Sequence, residues 1–226
     1  MVTALGAAPA FDPALDGAPA HILRSDGAVV ELAVARWHDA ATVEDGWLLD
    51  RCTGPVVDLG CGPGRLVAAL VARGVPVLGV DQSAAAQRQC RRRRAPMVRR
   101  DLFSRLPAEG CWDHVLLADG NIGIGGDPVR LLRRAARLLA PGGTVLVETD
   151  PRPDLLWSGT ARIRTSAGTG RPVPWACVGA DALAGLAGAA GLVRTARHEG
   201  PRSFAELGAA PPAGRPPGRR TAGRPT

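Results

Sequence analysis

A glycine-rich turn between a predicted strand and a predicted helix is the stretch of this sequence best suited to chemistry. Residues 56–65 read Val-Val-Asp-Leu-Gly-Cys-Gly-Pro-Gly-Arg. Glycine at Gly60 and Gly62 lets the backbone approach a ligand closely, and the free N–H groups of the following helix can receive a carboxylate or phosphate. Asp58 places a carboxylate beside the turn, which favours a ligand with an ammonium group over a pyrophosphate.

A second acid, Asp81, ends the next predicted strand, which reads Val-Leu-Gly-Val-Asp. A carboxylate at that point can accept hydrogen bonds from two ribose hydroxyls. It follows the first glycine by about 20 residues, the spacing typical of nucleotide-binding βαβ units. The glycine spacing is G-x-G-x-G, however, and Arg65 stands where a dinucleotide site needs its last glycine. A nicotinamide oxidoreductase is therefore disfavoured.

These residues need a scaffold in which strands and helices alternate. Apolar runs predict strands at 55–59, 76–80, 96–100, 113–118 and 144–148, and helical patterns predict helices at 64–73, 83–94, 128–139 and 181–190. Hairpin arms are predicted at 161–165 and 173–178, and a terminal strand pair at 193–198 and 203–207. Continuous apolar strands between helices indicate a buried, doubly wound α/β sheet with ligands at the carboxyl ends of its strands.

The composition divides the chain into an arm, a domain and a tail. We expect a flexible N-terminal arm over residues 1–24 and one domain over 25–208. Within the domain, 25–52 is predicted to be a helical cap and 151–179 an insertion on the substrate side. Residues 209–226 contain five Pro, three Gly and four Arg, a composition that cannot bury a core, so we predict a disordered tail.

The quoted motifs resemble those of class I S-adenosylmethionine-dependent methyltransferases. VVDLGCGPGRL and VLGVDQS are similar to the first two motifs of that family, and LLAPGGTVLVE at 138–148 is similar to its helix and fifth strand. LLADGNIGIGGDP at 116–128 resembles a subgroup of small bacterial methyltransferases of unassigned substrate. The resemblance covers about 50–150, and more weakly 181–207. It implies a Rossmann-like, mostly parallel seven-stranded sheet with an antiparallel last strand, and S-adenosyl-L-methionine as cofactor.

The resemblance also implies a cofactor site at the carboxyl ends of the first four strands. Its members are Asp58, Gly60, Cys61, Gly62, Gly64, Asp81, Gln82, Asp101, Leu102, Ala118 and Asp119. The turn is expected to contact the methionine part, Asp81 the ribose and Gln82 the adenine. Asp101 is expected to meet the adenine amino group, although an acid after a strand is also a common turn residue. Ala118 and Asp119 are expected to border the sulfonium.

Candidates for the acceptor side are fewer. His38, Asp119 and Asn121 are weak catalytic candidates, because methyl transfer mainly needs positioning and only sometimes a base. His38 reaches over the site in one interpretation and packs on the surface in the other. Asn121 either orients a substrate or holds the glycine-rich turn at 123–126. Trp157 and Trp175 are candidates for the wall of an acceptor pocket.

The sequence favours a small-molecule acceptor and leaves two alternatives open. One is a non-catalytic protein that binds the cofactor or a partner. The other is an RNA methyltransferase that uses the basic cluster Arg88–Arg100; no aromatic residues interleave there to stack bases, so specific nucleic-acid binding is not expected. The chain has no Lys or Tyr, and its five Cys are scattered without C-x-x-C. We therefore predict no metal site, reduced thiols and a cytoplasmic location without a membrane segment; the oligomeric state is not predicted.

Overall fold

The computed structural model describes residues 8–210, which form two sheets and seven α-helices. The strands are β1 (His21–Arg24), β2 (Val29–Glu31), β3 (Val56–Leu59), β4 (Val77–Asp81), β5 (Met97–Arg99), β6 (Trp112–Leu117), β7 (Leu139–Thr149), β8 (Leu156–Thr165), β9 (Gly168–Thr169), β10 (Val173–Val178), β11 (Leu192–His198) and β12 (Ser203–Ala209). The helices are α1 (Ala8–Leu15), α2 (Val34–His38), α3 (Gly46–Leu49), α4 (Arg65–Ala72), α5 (Ala84–Arg93), α6 (Pro128–Leu138) and α7 (Ala180–Ala189). Short 3-10 turns cover Val43–Asp45 and Asn121–Gly126.

The larger sheet has seven strands in the order β11-β12-β7-β6-β3-β4-β5. The five strands from β7 to β5 are parallel, and β12 pairs antiparallel with both β7 and β11. The predicted Rossmann-like, mostly parallel seven-stranded fold is therefore confirmed. The strand order reverses between β3 and β6, and a crevice for ligands opens at the carboxyl ends of the strands at such a point.

The helices of this sheet begin and end where their capping residues predict. Ser83 accepts a hydrogen bond from the backbone N–H of Ala86 at 3.1 Å and starts α5. Asp127 accepts one from Arg130 N–H at 2.9 Å and starts α6, whose first residue is a proline. Each cap satisfies a backbone donor that has no partner within the helix. These helices pack on the sheet and leave its carboxyl edge open.

A smaller antiparallel sheet, β10-β8-β1-β2 with β9 beside β8, is hereafter the small sheet. It corrects two predictions. Residues 8–24 are not a flexible arm, because they form α1 and β1, whose Ala14 and Ile22 are buried with Trp175 in one apolar cluster. The predicted helical cap over 25–52 contains a strand at Val29–Glu31, since Val30 pairs with Ile22 across the sheet. Partners distant in sequence override the local pattern at both places.

Only part of the predicted tail is described. Ala209 is the last residue of β12, so the domain extends one residue past its predicted end. The rest of the predicted disordered tail, 211–226, lies outside the described residues. Among residues 8–210, no helix has the length and apolar character required to cross a membrane.

Candidate active site

A cavity of about 450 Å³ lies between the carboxyl edge of the large sheet and the small sheet. Its floor includes Gly60, Gly62 and Ala118, at the ends of β3 and β6. Its opposite wall includes Ile22 and Trp175 from the small sheet. The small sheet therefore roofs the crevice at which the parallel fold is expected to bind its ligand.

The glycine-rich turn has backbone angles that side chains rarely adopt, with φ of +79° at Gly60 and +51° at Gly62. The side-chain amide of Asn121 donates to the carbonyl oxygens of Leu59 at 3.0 Å and Gly60 at 2.8 Å. Asn121 therefore holds this turn, whereas the sequence interpretation had it either orienting a substrate or holding the turn at 123–126. Because its two N–H groups are engaged with the backbone, Asn121 is not positioned as a catalytic group.

Asp81 is fixed at the end of β4 by backbone donors. The N–H of Gly62 donates to its Oδ2 at 3.1 Å and the N–H of Ser83 to its Oδ1 at 2.8 Å. Burial raises the pKa of Asp81, and these hydrogen bonds oppose that rise. Each carboxylate oxygen keeps further lone-pair capacity. Asp81 lines the cavity, as a ligand for two hydroxyls requires.

Asp58 is a buried carboxyl group without a hydrogen-bond donor among the described residues. It is 3% exposed and borders the cavity beside the glycine-rich turn. Burial raises its pKa to about 7; the nearby Asp119 adds to the rise and Arg65 opposes it. A carboxylate buried without a partner is costly, so this position fits a ligand that brings an ammonium group.

Gln82 and Leu102 border the cavity where β4 and β5 end. The loop at Leu102 is held from below by Arg134, a buried residue of α6 whose guanidinium donates to the carbonyls of Leu102 at 2.7 Å and Ser104 at 2.6 Å. Asp101 is not among the cavity-lining residues: its Oδ1 accepts the N–H of Phe103 at 2.9 Å. Its carboxylate therefore stabilises the turn, which is the alternative that the sequence left open.

Gly64 and Cys61 serve packing. Gly64 has φ +81° and lies outside the cavity lining, and a Cβ there would approach Cys90 Sγ to 2.8 Å. Cys61 borders the cavity, but its thiol packs on β4, since a Cβ on Gly79 would approach its Sγ to 2.6 Å. A hydrogen bond with Cys90, together with burial, raises the pKa of the Cys61 thiol well above its ordinary value. Gly64 therefore does not contact the cavity, and Cys61 is not set up as a nucleophile.

One group of functional candidates escaped the sequence analysis almost entirely. Three arginines and three acids interlock beside the floor of the cavity, and we refer to them as the charged cluster. Its members are Arg36, Asp45, Arg65, Asp119, Glu148 and Arg202. All except Asp45 line the cavity. They come from α2, a 3-10 turn, α4 and the ends of β6 and β7, with Arg202 preceding β12. No local sequence motif therefore predicts them.

Asp119 is the centre of the charged cluster. Its backbone is left-handed, with φ +52°, and its N–H donates to Glu148 Oε2 at 2.5 Å. Its carboxylate accepts hydrogen bonds from Arg65 at 2.8 Å, Arg36 at 3.0 Å and Arg202 at 3.3 Å. With both oxygens engaged by guanidinium groups, Asp119 is held as a fixed negative charge and is not free to serve as a base.

Asp45 closes the charged cluster from behind. Its side chain is fully buried and pairs with the guanidinium groups of both Arg65 and Arg202. Burial opposes its ionisation, but the hydrogen bonds from Arg65 and from the Thr42 backbone prevail and lower the pKa of Asp45. Burial likewise opposes the charge on Arg202, yet Glu148 outweighs it and raises the pKa of Arg202. Asp45 and Arg202 are therefore both charged at neutral pH.

The four histidines all lie within the described residues, and none lines the cavity. The ring of His38 contacts the carbonyl of Ala14 through Nε2 at 3.3 Å and supports α1, so it does not reach the site as a base. His114 bridges the loop after α3 and β7: Thr53 N–H donates to its Nε2, and its Nδ1 lies 3.0 Å from Thr144 Oγ1. His198 stacks on Trp47 and Phe204. These three side chains have structural roles, and His21 is the first residue of β1.

Residues 56–143 match the family model described as a methyltransferase domain. No curated protein matches the chain in sequence. Among solved structures, an S-adenosylmethionine-dependent methyltransferase from Bacteroides fragilis, in complex with S-adenosyl-L-homocysteine, is 19% identical with TM-score 0.73, over 93% of this chain and 98% of that chain.

Two further structures share the fold at lower TM-scores. An amino pentose methyltransferase from Micromonospora echinaspora, involved in calicheamicin biosynthesis, is 17% identical with TM-score 0.58, over 79% of this chain and 95% of that one. A sugar N-methyltransferase from Streptoalloteichus is 19% identical with TM-score 0.56, over 74% and 86%. The chain therefore shares its fold with these methyltransferases, and its residues 56–143 are similar to a methyltransferase domain.

Proposed function

We propose that the chain transfers the methyl group of S-adenosyl-L-methionine to a small-molecule acceptor held under the small sheet. The observation that carries the proposal is the roofed cavity of about 450 Å³, which contains a cofactor side and a separate wall from the small sheet. Its volume lies within the roughly 300–1,000 Å³ typical of small-molecule sites.

The cofactor side offers a partner for each polar part of S-adenosyl-L-methionine. The unpartnered carboxylate of Asp58 fits the ammonium group, and Asp81 fits the ribose hydroxyls. Arg36 fits the carboxylate, because it borders the cavity, is 30% exposed, and its Nη1 has no protein partner in the described part of the chain. Gln82 and Leu102 flank the space for adenine. The bound cofactor supplies an electrophilic methyl group, and these residues hold and orient it.

The acceptor side is largely apolar and enclosed. Ile22, Val30 and Trp175 line it from the small sheet, and Phe11 of α1 packs against Trp175 with 5.1 Å between ring centroids. Trp157 does not line the cavity; the guanidinium of Arg24 covers its ring at 4.2 Å. The two sugar-modifying enzymes of the same fold act on small acceptors, which supports the same class of acceptor here.

The basic segment at 88–100 gives little support to the RNA alternative. Arg88 pairs with Asp16 at 2.9 Å, and Arg93 donates to the carbonyls of His38 and Asp39. These arginines tie α5 to α1 and α2. Arg91 and Arg92 are exposed, but without aromatic neighbours they offer phosphate contacts and no base readout.

Two measurements test the proposal. Calorimetry on the full chain should show binding of S-adenosyl-L-methionine and of its demethylated product, and much weaker binding of NAD. Transfer of labelled methyl groups to fractionated cell extract should place the label in the small-molecule fraction. Label in RNA would favour the RNA alternative, and cofactor binding without transfer to any fraction would favour a non-catalytic protein.

A further inference from the structure

Resting on the proposed function, we infer that the methylated atom is a basic nitrogen and that Asp150 holds the amino group that carries it. Three observations lead to this acceptor class. The described residues that line the cavity include no base able to deprotonate a hydroxyl group, its transfer end carries carboxylates, and Asp150 joins the cavity to solvent.

An alcohol or phenol must lose a proton to become a good nucleophile, and enzymes use a base with a pKa near 7 or above for that task. The chain contains no Lys and no Tyr, and all four histidines lie outside the cavity lining. Asp58, whose burial would suit a base, is beside the glycine-rich turn and is committed to the cofactor ammonium. The carboxylates of Asp119 and Glu148 are engaged by arginines. A basic amine is protonated at neutral pH, but its pKa resembles that of a Lys side chain, about 10, so it gives its proton to water far more readily than an alcohol does and needs no base in the site.

The charge of the site also matches nitrogen. When an amine is methylated, the positive charge moves from sulfur to nitrogen without leaving the cavity. Fixed carboxylates aimed at that region stabilise the cation on both atoms. The acids at the transfer end are Asp119, Glu148 and Asp150, at the ends of β6 and β7 and just beyond β7. The arginines of the charged cluster balance the first two, which leaves Asp150 as the acid available to an acceptor at this end; Glu31, the other acid that borders the acceptor side, lies on β2 of the small sheet.

Asp150 lies on the boundary between two spaces. It lines the main cavity and also a smaller depression of about 290 Å³, which shares Pro151 and Ser203 with that cavity. The Asp150 side chain is 16% exposed, and its only side-chain partner among residues 8–210 is Arg152, itself 57% exposed. Such a surface pair is weak, so a substrate ammonium can replace it. Asp150 therefore combines a pairing site for the acceptor with an exit for its proton.

The step balances without a further reactant. The acceptor ammonium first gives its proton to water along the edge of Asp150. The freed nitrogen lone pair then forms the new N–C bond, the C–S bond breaks, and its electron pair stays on sulfur as the neutral thioether. No oxidant, reductant or metal takes part.

The acid–base behaviour of the labelled product tests which atom is methylated, whatever the acceptor's identity. The product from the small-molecule fraction should bind a cation exchanger at neutral pH, elute when alkali removes its charge, and resist alkaline hydrolysis. A neutral product, or one that alkali hydrolyses, would exclude a methylated basic nitrogen and overturn the inference while the proposed function stands. Label in RNA or protein, or in no fraction, would overturn the proposed function.

A matched pair of probes tests Asp150. On the full chain saturated with S-adenosyl-L-homocysteine, benzylamine should bind about tenfold more tightly than benzyl alcohol, as a charged hydrogen bond implies. Asp150→Asn should abolish that preference and leave the affinity for S-adenosyl-L-homocysteine unchanged, which also shows that the variant is folded. Asp154→Asn, a change of a nearby exposed acid, should keep the preference. Equal binding of the two probes to the unmodified chain, or a preference that survives in Asp150→Asn, would remove Asp150 from the acceptor site.

Discussion

The two sides of the cavity are built in opposite ways. The cofactor side depends on residues close together in the sequence: Asp58, Gly60, Gly62 and Asp81 lie on two neighbouring strands and the turn between them. The charged cluster, beside the floor of the same cavity, collects six residues from segments that span most of the described chain. The first is a local motif, whereas the second exists only after folding.

This difference explains why one side is open to ligands and the other is rigid. Within residues 8–210, Asp58 beside the glycine-rich turn has no hydrogen-bond partner, and Asp81 keeps spare lone pairs. The charged cluster leaves almost nothing unpaired, and it holds Asp119 in a backbone conformation that a non-glycine residue seldom adopts. Such strain persists only where surrounding contacts enforce it. Ligand affinity should therefore reside on the cofactor side, and stability on the side of the charged cluster.

The largest effect is expected on stability, from a substitution that breaks the charged cluster. Arg202→Met should lower the free energy of unfolding by about 3–5 kcal/mol, because it leaves the buried Asp45 and Glu148 without their shared cation. Urea denaturation followed by circular dichroism measures this loss. Arg197→Met is the control: Arg197 pairs with Asp181 at 2.8 Å on the surface and should cost less than about 1 kcal/mol. Equal losses in the two variants would contradict the structural role of the charged cluster.

The next effect concerns the cofactor side. Asp81→Ala should weaken cofactor binding by about 1.5–3 kcal/mol, since two ribose hydroxyls lose their charged acceptor. Calorimetry on a variant that circular dichroism shows to be folded provides the measurement. Asp101→Ala is the matched control; Asp101 engages the turn at Phe103, so its removal should leave the cofactor affinity nearly unchanged. A larger loss of cofactor affinity in Asp101→Ala than in Asp81→Ala would favour the adenine contact first expected of Asp101.

A smaller effect depends on pH through Asp58. With a pKa of about 7, this carboxyl is mostly protonated at pH 6 and mostly ionised at pH 8. If it pairs with the cofactor ammonium, the dissociation constant should fall about tenfold between these two values, because the ionised fraction of a group that titrates midway between them rises about tenfold. Asp58→Asn should abolish that dependence. If the dissociation constant of the unmodified chain did not change over this pH range, the pairing of Asp58 with the cofactor ammonium would be contradicted.

The same group links pH to stability in the cofactor-free protein. Its folded pKa is above the unfolded value, so the native state binds more protons than the unfolded state between pH 4 and 7. Its contribution to stability is therefore present at low pH and lost as pH rises toward 7. Asp58→Asn should raise the melting temperature at pH 8 more than at pH 5. Melting temperatures of the two proteins measured from pH 5 to pH 8 give the sign of this difference directly.

The smallest expected effect is on the basic surface of α5. Replacing the exposed Arg91 and Arg92 by Gln should leave methyl transfer to the small-molecule fraction within about twofold, because these residues make solvated surface contacts. Affinity for RNA, measured by titration at low and physiological salt, should be weak and should fall steeply with salt. If the variant lost both methyl transfer and a salt-resistant complex with RNA, the result would favour the RNA alternative.

The sequence was sufficient for the parallel core because each of its elements carries a local signal. Apolar runs predicted β3 to β7, and helical patterns predicted α4 to α7. The glycines and the two acids predicted the cofactor side in the same way. These signals depend on spacing along the chain, which does not change when the chain folds.

The small sheet and the charged cluster could not be predicted in that manner. Val29–Glu31 forms a strand only because β1 is beside it, and Asp45 belongs to the site only because Arg65 and Arg202 arrive from elsewhere. In the sequence, Arg65 stands out only because it occupies a position where a dinucleotide site needs glycine. In the structure, its side chain is 3% exposed and paired with two acids. A buried arginine requires acidic partners, but a sequence does not show which acids they are.

The small sheet also imposes an order on synthesis. Residues 21–24 leave the ribosome early, yet they pair with residues 161–164 of β8, so they must wait while most of the domain is made. The parallel strands β3 to β7 are complete before β8 emerges. Because they form a locally connected unit, they are able to fold first. During that interval Ile22 and its apolar neighbours have no sheet to cover them. A nascent chain of this protein therefore carries an exposed apolar stretch at its N-terminal end, which is a natural target for a chaperone until the last third of the chain arrives.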